Sequence, residues 1–171
     1  MSAGEFDRIV KLDRLPSTPL QVEADEAERA ALARRFGLPA IHALHAEVAF
    51  APHGEAIEAR GRLTASFDQR CAVSDTLFAN RLDEPVAFRF VPALAEHGED
   101  EEIQFASDAP DEIAYDGAAL DLGEALAQSF GLALDPYAVG PEAEAARREA
   151  GVVSEDAPGG PFAALAALRK S

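Results

Sequence analysis

A chain of 171 residues that is 48% hydrophobic is long enough to bury the core of one domain, and its single cysteine, Cys71, excludes an intramolecular disulfide. The formal net charge of −16 works against unaided binding to phosphate backbones or anionic membranes and favours basic partners. No apolar run approaches the ~20 residues of a membrane span, and Met1-Ser-Ala-Gly-Glu-Phe-Asp-Arg8 lacks a basic region followed by an apolar one; no signal peptide is read and a cytoplasmic protein is expected.

In chain order, Phe6 to Leu12 reads as a short strand with Phe6, Val10 and Leu12 on one face, broken at Leu15-Pro-Ser-Thr-Pro19. Asp25 to Phe36 reads as a helix, with acids in its first turn, Arg34 and Arg35 in its last, and Gly37 as its C-terminal cap. Alternation then takes over. Leu44, Ala46, Val48 and Phe50 share one side of a strand, Pro52-His-Gly54 is a turn, and Ile57, Ala59, Gly61, Leu63, Ala65 and Phe67 alternate with polar residues. Gly61 on the inner side suggests a bulge or a bend. Val86, Phe88 and Phe90 give another strand. These three predict an antiparallel sheet over about 44–50, 56–67 and 85–91, with Ile103 to Phe105 as a candidate addition.

Asp121 is placed to cap a second helix, Leu122 to about Leu132, with Glu124 closing a capping box and Gly131 ending it. Gly140 to Gly160, rich in Ala, Glu, Pro and Gly, reads as a flexible acidic linker. Pro161 to Lys170 reads as a short helix with an apolar stripe of Phe162, Leu165 and Leu168. The expected architecture is α+β: one domain over 1–139 with an antiparallel sheet and two main helices packed on it, a linker over 140–160 and a terminal helix over 161–171.

From Phe90 to Ala146 the chain carries 14 Asp or Glu residues and no Lys or Arg. Glu99, Asp100, Glu101 and Glu102 form one cluster; Asp108, Asp111, Glu112 and Asp116 form another. Charge blocks of this kind serve as interaction surfaces as readily as solvated faces. Glu99, Asp100, Glu101, Glu102, Asp108, Asp111 and Glu112, with Phe162 and Leu165, are the candidate partner-binding residues. Carboxylate pairs can also act as acid and base, and with His53 or His97 they make a small hydrolase a distant alternative. His42 and His45, three apart, suit a metal only on a helix, and that stretch reads as a strand. Nothing around Gln69-Arg-Cys71 matches a nucleophile signature. No calcium-loop or phosphate-loop spacing exists. No cofactor or metal is expected. Arg60, Arg62 and Arg70 are the residues a direct RNA-binding factor would use.

Several segments in one order carry a resemblance: Glu5-Phe-Asp-Arg8 with Val10 to Leu15; Gly61-x-Leu63 running into Gln69-Arg-Cys71-x-Val73-Ser74; Leu82 to Pro92; Ile113 with Asp121-Leu122-Gly-Glu124; Leu132 to Asp135-Pro136-Tyr137; and Pro161-Phe162-Ala-x-Leu165-x-x-Leu168. Together they resemble the YceD family, the large ribosomal RNA subunit accumulation proteins, in its alphaproteobacterial form. The resemblance implies a non-enzymatic factor needed for 23S ribosomal RNA to accumulate, with a basic ribosomal protein or a pre-ribosomal large subunit as partner. It marks Cys71, Asp121, Leu122, Glu124, Asp135, Pro136 and Tyr137 as family-motif positions and carries over no catalytic residue. Many relatives hold a Cys-x-x-Cys pair where this chain has Cys71 and Ser74, so a zinc-site argument does not extend to it.

Overall fold

The computed structural model describes residues 5–93 and 110–151. Contacts divide the chain into a larger unit, Met1–Gln69 with Ala79–Asp135, and a smaller one, Arg70–Phe78 with Pro136–Ser171. The elements in order are β1 (Ile9–Lys11), a 3-10 turn (Leu12–Arg14), β2 (Leu20–Glu23), α1 (Glu26–Phe36), β3 (Ala40–His53), β4 (Ala56–Arg70), β5 (Leu77–Pro92), β6 (Asp111–Tyr115), β7 (Ala119–Asp121), α2 (Leu122–Ala133) and α3 (Ala143–Glu149).

The larger unit is built on a five-stranded sheet in the order β2-β3-β4-β5-β6, beside a two-stranded ribbon of β1 and β7. β2–β3 and β3–β4 are antiparallel. Arg62 bonds Asp83 and Gln69 bonds Asn80, so residue numbers rise on β4 as they fall on β5, the antiparallel sense. β6 departs from the expected antiparallel sheet: it lies parallel to β5, with Phe88 opposite Asp111 and Pro92 opposite Tyr115. Parallel neighbours need a crossover of a dozen or more residues, and the stretch between Pro92 and Asp111 is long enough to supply one. The alternative addition, Ile103 to Phe105, lies outside the described residues.

The period-two pattern of β4 puts Ile57, Ala59, Leu63, Ala65 and Phe67 into the core while Arg60 and Arg62 stay exposed. They share one hydrophobic cluster with Leu44, Val48, Phe88 and Phe90 from the sheet and with Leu32, Leu122, Leu126 and Phe130 from the helices. The Phe130 ring meets Phe36 and Phe67 edge-on, each at 5.6 Å between centroids. Gly61 marks no bulge. It sits in regular register opposite Val48, and a Cβ there would stand 1.8 Å from the Glu47 carbonyl oxygen, so only glycine lets the two backbones approach. The irregularity in this hairpin falls between Ile41 and Ala43.

α1 starts as its sequence dictates. The Asp25 carboxylate accepts from the Glu28 N–H, and the Glu28 carboxylate accepts from the Asp25 N–H, a complete capping box; Gly37 closes the helix at φ 65°. Glu28 also receives both terminal nitrogens of Arg8 at 2.6 and 2.8 Å, which holds its carboxyl below the usual range. α2 realises half of its expected box. The Asp121 carboxylate accepts from the Glu124 N–H at 3.0 Å, but the Glu124 side chain turns to Arg35 instead of back to the cap. Nor does Gly131 end α2, which runs on to Ala133. A Cβ at Gly131 would fall 2.3 Å from the Phe36 ring, so this glycine makes room for α1.

In the smaller unit a tight turn leaves β4: the Asp75 N–H donates to the Cys71 carbonyl and the Cys71 N–H to that of Thr76, both at 2.9 Å. Asp75 takes φ 58°, a left-handed conformation that aspartate tolerates better than most residues. α3 occupies part of the range read as a linker, where Ala143 to Glu149 combine helix-favouring alanines with a basic last turn. The stretch expected to form a terminal helix, with Phe162 and Leu165, lies outside the described residues, as do Glu99, Asp100, Glu101, Glu102 and Asp108. No helix among the described residues is long and apolar enough to cross a membrane.

Candidate functional site

Within the larger unit, β6, β7 and α2 enclose an open cleft of about 430 Å³. Its apolar lining comes from Phe90, Ile113, Leu120 and Ala125, with Ile9 of β1 at its edge. Ile9 is 58% exposed and so presents apolar surface at the cleft. Asp116, Asp121 and Glu124 bring carboxylates to the same cleft, and Asp111 starts the strand that forms one wall.

These acids are not equivalent. Asp121 is committed to capping α2. Glu124 is held bidentately by Arg35 at 2.8 and 2.9 Å, and this bond, followed by that from Gln128, lowers its pKa. Glu5 adds a looser contact to Arg35 at 3.6 Å. Asp111 and Asp116 make no such bond or ion pair among the described residues. Of the motif acids read from the sequence, then, Asp121 and Glu124 build the helix and its tie to α1, and the carboxylates open to a ligand are Asp111 and Asp116. Glu112, beside Asp111, lies opposite Arg89 on β5. Leu122 is fully buried. Neither Ile9 nor Ile113, the latter standing in one of the segments that carry the resemblance, is marked as a site residue by the sequence. The alternation of Ile113 and Tyr115 within Asp111-Glu-Ile-Ala-Tyr115 was the available signal for β6.

The remaining motif positions lie elsewhere. The Gln69 side chain donates to the Asp135 carbonyl at 2.5 Å, tying the end of α2 to β4. In the smaller unit Cys71 is 3% exposed and the Ala72 N–H donates to the Ala138 carbonyl at 3.0 Å. Hydrogen bonds from Ser74, then from the backbone N–H groups of Gly140 and Val73, bring the Cys71 thiol from its ordinary 9.0 down to about 7, against the opposing effect of burial. Pro136 and Tyr137 follow α2, and Tyr137 is exposed, as are Val73, Leu77 and Val139.

The basic candidates are already engaged. Arg62 pairs with Asp83, Arg60 with Glu58 at 3.5 Å and Arg70 with Asp75 at 3.7 Å. His42 faces Asp68 at 3.0 Å across the β3–β4 irregularity and His53 lies 3.9 Å from Glu58, while His97 falls outside the described residues. No group of three His, Cys, Asp or Glu among the described residues is placed to hold a metal ion. A second cleft, about 420 Å³, runs between α1 and the start of β3 and is lined by Arg29, Arg34 and His42 with Glu26. No family model, curated protein or solved structure matches this chain.

Proposed function

We propose that this chain is a non-enzymatic ribosome-assembly factor of the kind its resemblance to the YceD family implies, supporting 23S ribosomal RNA accumulation by holding a basic ribosomal protein, free or on a pre-large-subunit particle. The observation that carries the reading is the cleft between β6, β7 and α2. One uncommitted carboxylate, Asp116, lines it beside apolar surface that includes the exposed Ile9, and a second, Asp111, opens the strand that forms its wall. Opposite charge accelerates and orients the encounter, and the apolar floor supplies what charge alone lacks in a salty cytoplasm. The sheet with its two principal helices packed on it is the scaffold of this surface.

Direct RNA binding through Arg60, Arg62 and Arg70 is the weaker alternative, because each of these cations already faces a carboxylate that a phosphate would have to displace. A hydrolase would need a base beside an enclosed pocket, and the cleft acids lie at an open surface without a histidine among its lining residues.

The test is a tagged pull-down from lysate at low and moderate salt, with and without RNase, comparing the parent with Asp111→Lys/Asp116→Lys. Ribosomal proteins retained after RNase, lost as salt rises and lost in the double variant are the expected result. Retention that vanishes with RNase transfers the assignment to RNA, and no ribosomal component under any condition refutes it.

A further inference from the structure

The strand that walls the cleft is the last of its sheet: among the described residues β6 has β5 as its only sheet neighbour. A residue in a strand points its N–H and C=O to the same side, and successive residues alternate sides. The Tyr115 carbonyl accepts from the Ala93 N–H at 2.9 Å, so Tyr115, and with it Ile113, turn their peptide groups toward β5. Ala114 therefore turns its N–H and C=O away from the sheet, along the edge that borders the cleft, and its own side chain is only a methyl. Natural sheets usually blunt such an edge with lysine, proline or a bulge. β6 carries none of these; it is short and bears Asp111 and Glu112, whose charge discourages an acidic strand and admits a basic one. Across the cleft lies β7, whose own sheet partner is β1.

We infer that this edge is a strand-addition site: a basic segment in extended conformation pairs with the backbone of β6, drops an apolar side chain onto Ile9 and Ile113, and sets lysine or arginine side chains against Asp111 and Asp116. This rests on the capture of a basic partner proposed above and specifies how it occurs. Main-chain pairing supplies affinity that depends little on sequence, while alternate side chains supply selectivity. Charge complementarity decides the class of occupant, because an acidic or neutral strand would meet two uncompensated carboxylates at the same edge.

The probe is a short capped peptide alternating lysine and valine, titrated against the full chain by fluorescence anisotropy, with two N-methylated versions. One is methylated on the odd positions and the other on the even, which leaves charge and side chains in place. Only one of the two sets can face β6, so one version is expected to bind at least about tenfold more weakly than the parent peptide while the other binds as the parent does. Ala114→Pro, which removes the edge donor at a position proline tolerates, should weaken the parent peptide by a similar factor without shifting the urea midpoint. Equal binding by all three peptides, abolished by salt, overturns strand addition and leaves acidic capture standing. Failure of all three peptides while lysate pull-down still retains ribosomal proteins has the same meaning. Discrimination between the methylated versions with no ribosomal protein in the pull-down supports the edge site and refutes the ribosomal partner.

Discussion

Replacing Phe130 with alanine tests the packing that holds the cleft's scaffold together. Phe130 is fully buried on α2 and meets Phe36 of α1 and Phe67 of β4, so one side chain links both helices to the sheet. Truncating a buried phenylalanine costs about 3–5 kcal/mol, and the two edge-on ring contacts, worth about 0.5–1.5 kcal/mol each beyond area burial, put this site near the upper end. For a chain of this size each kcal/mol lowers Tm by about 2–4 °C, so Phe130→Ala should lose roughly 10–20 °C. Phe130→Leu keeps most of the apolar volume and forfeits the ring pairs, which predicts a loss of about 1–3 kcal/mol. Urea unfolding followed by far-ultraviolet circular dichroism gives both numbers, the midpoint moving and the slope unchanged. An alanine variant within about 1 kcal/mol of the parent would refute the placement of Phe130 at this junction.

Gly61→Ala should be worse than an ordinary strand substitution: its methyl meets the backbone of Glu47, which cannot rotate aside, so a loss at or above about 3 kcal/mol, or failure to accumulate as soluble protein, is expected. Glu28→Ala removes both the return bond of the capping box and the bidentate partner of Arg8; about 1–2 kcal/mol should be lost in urea melts, against less than about 1 kcal/mol for Glu28→Gln, which keeps an acceptor for the cap. The Cys71 thiol ionises lower in the fold than in the open chain, so its contribution to stability is complete above about 9.0 and is lost as pH falls through about 7. Stability should therefore rise between those values in the parent and rise less in Cys71→Ser, and thiolate absorbance of the folded protein should appear near 7. Absorbance appearing only near 9.0 would contradict the hydrogen-bonded turn.

What was readable in the chain was what neighbours along the chain decide. The Asp25–Glu28 box with Gly37 sits within one helix, and the alternation from Ile57 to Phe67 needs only the strand itself. What escaped was decided by distant partners. β2 is four residues behind a proline, and it is a strand because β3 offers an edge to Leu20–Glu23. Gly61 and Gly131 read as local signals, a bend and a helix stop, yet each answers to a group elsewhere, the Glu47 carbonyl and the Phe36 ring. The acid-rich run was visible at once, but sequence could not divide it into carboxylates that cap or tie the helix, Asp121 and Glu124, and those left facing solvent, Asp111 and Asp116. That division follows from where Arg35 points, on a helix some ninety residues earlier in the chain.

The β1–β7 ribbon imposes an order of events on synthesis. Val10 pairs with Leu120, 110 residues later, and Gly123 is a glycine because the backbone from Phe6 to Arg8 lies directly against it. At roughly 5–20 residues per second, a ribosome that has just made β1 needs roughly 5–20 s to make the strand it pairs with, and longer for β7 to clear the exit tunnel. Through that interval Phe6 and Val10, both buried in the finished protein, have no ribbon to join. β1 is thus made long before it can be locked. A nascent chain stalled before Leu120 should leave its amino-terminal strand open to protease after the β3–β4 hairpin is already protected.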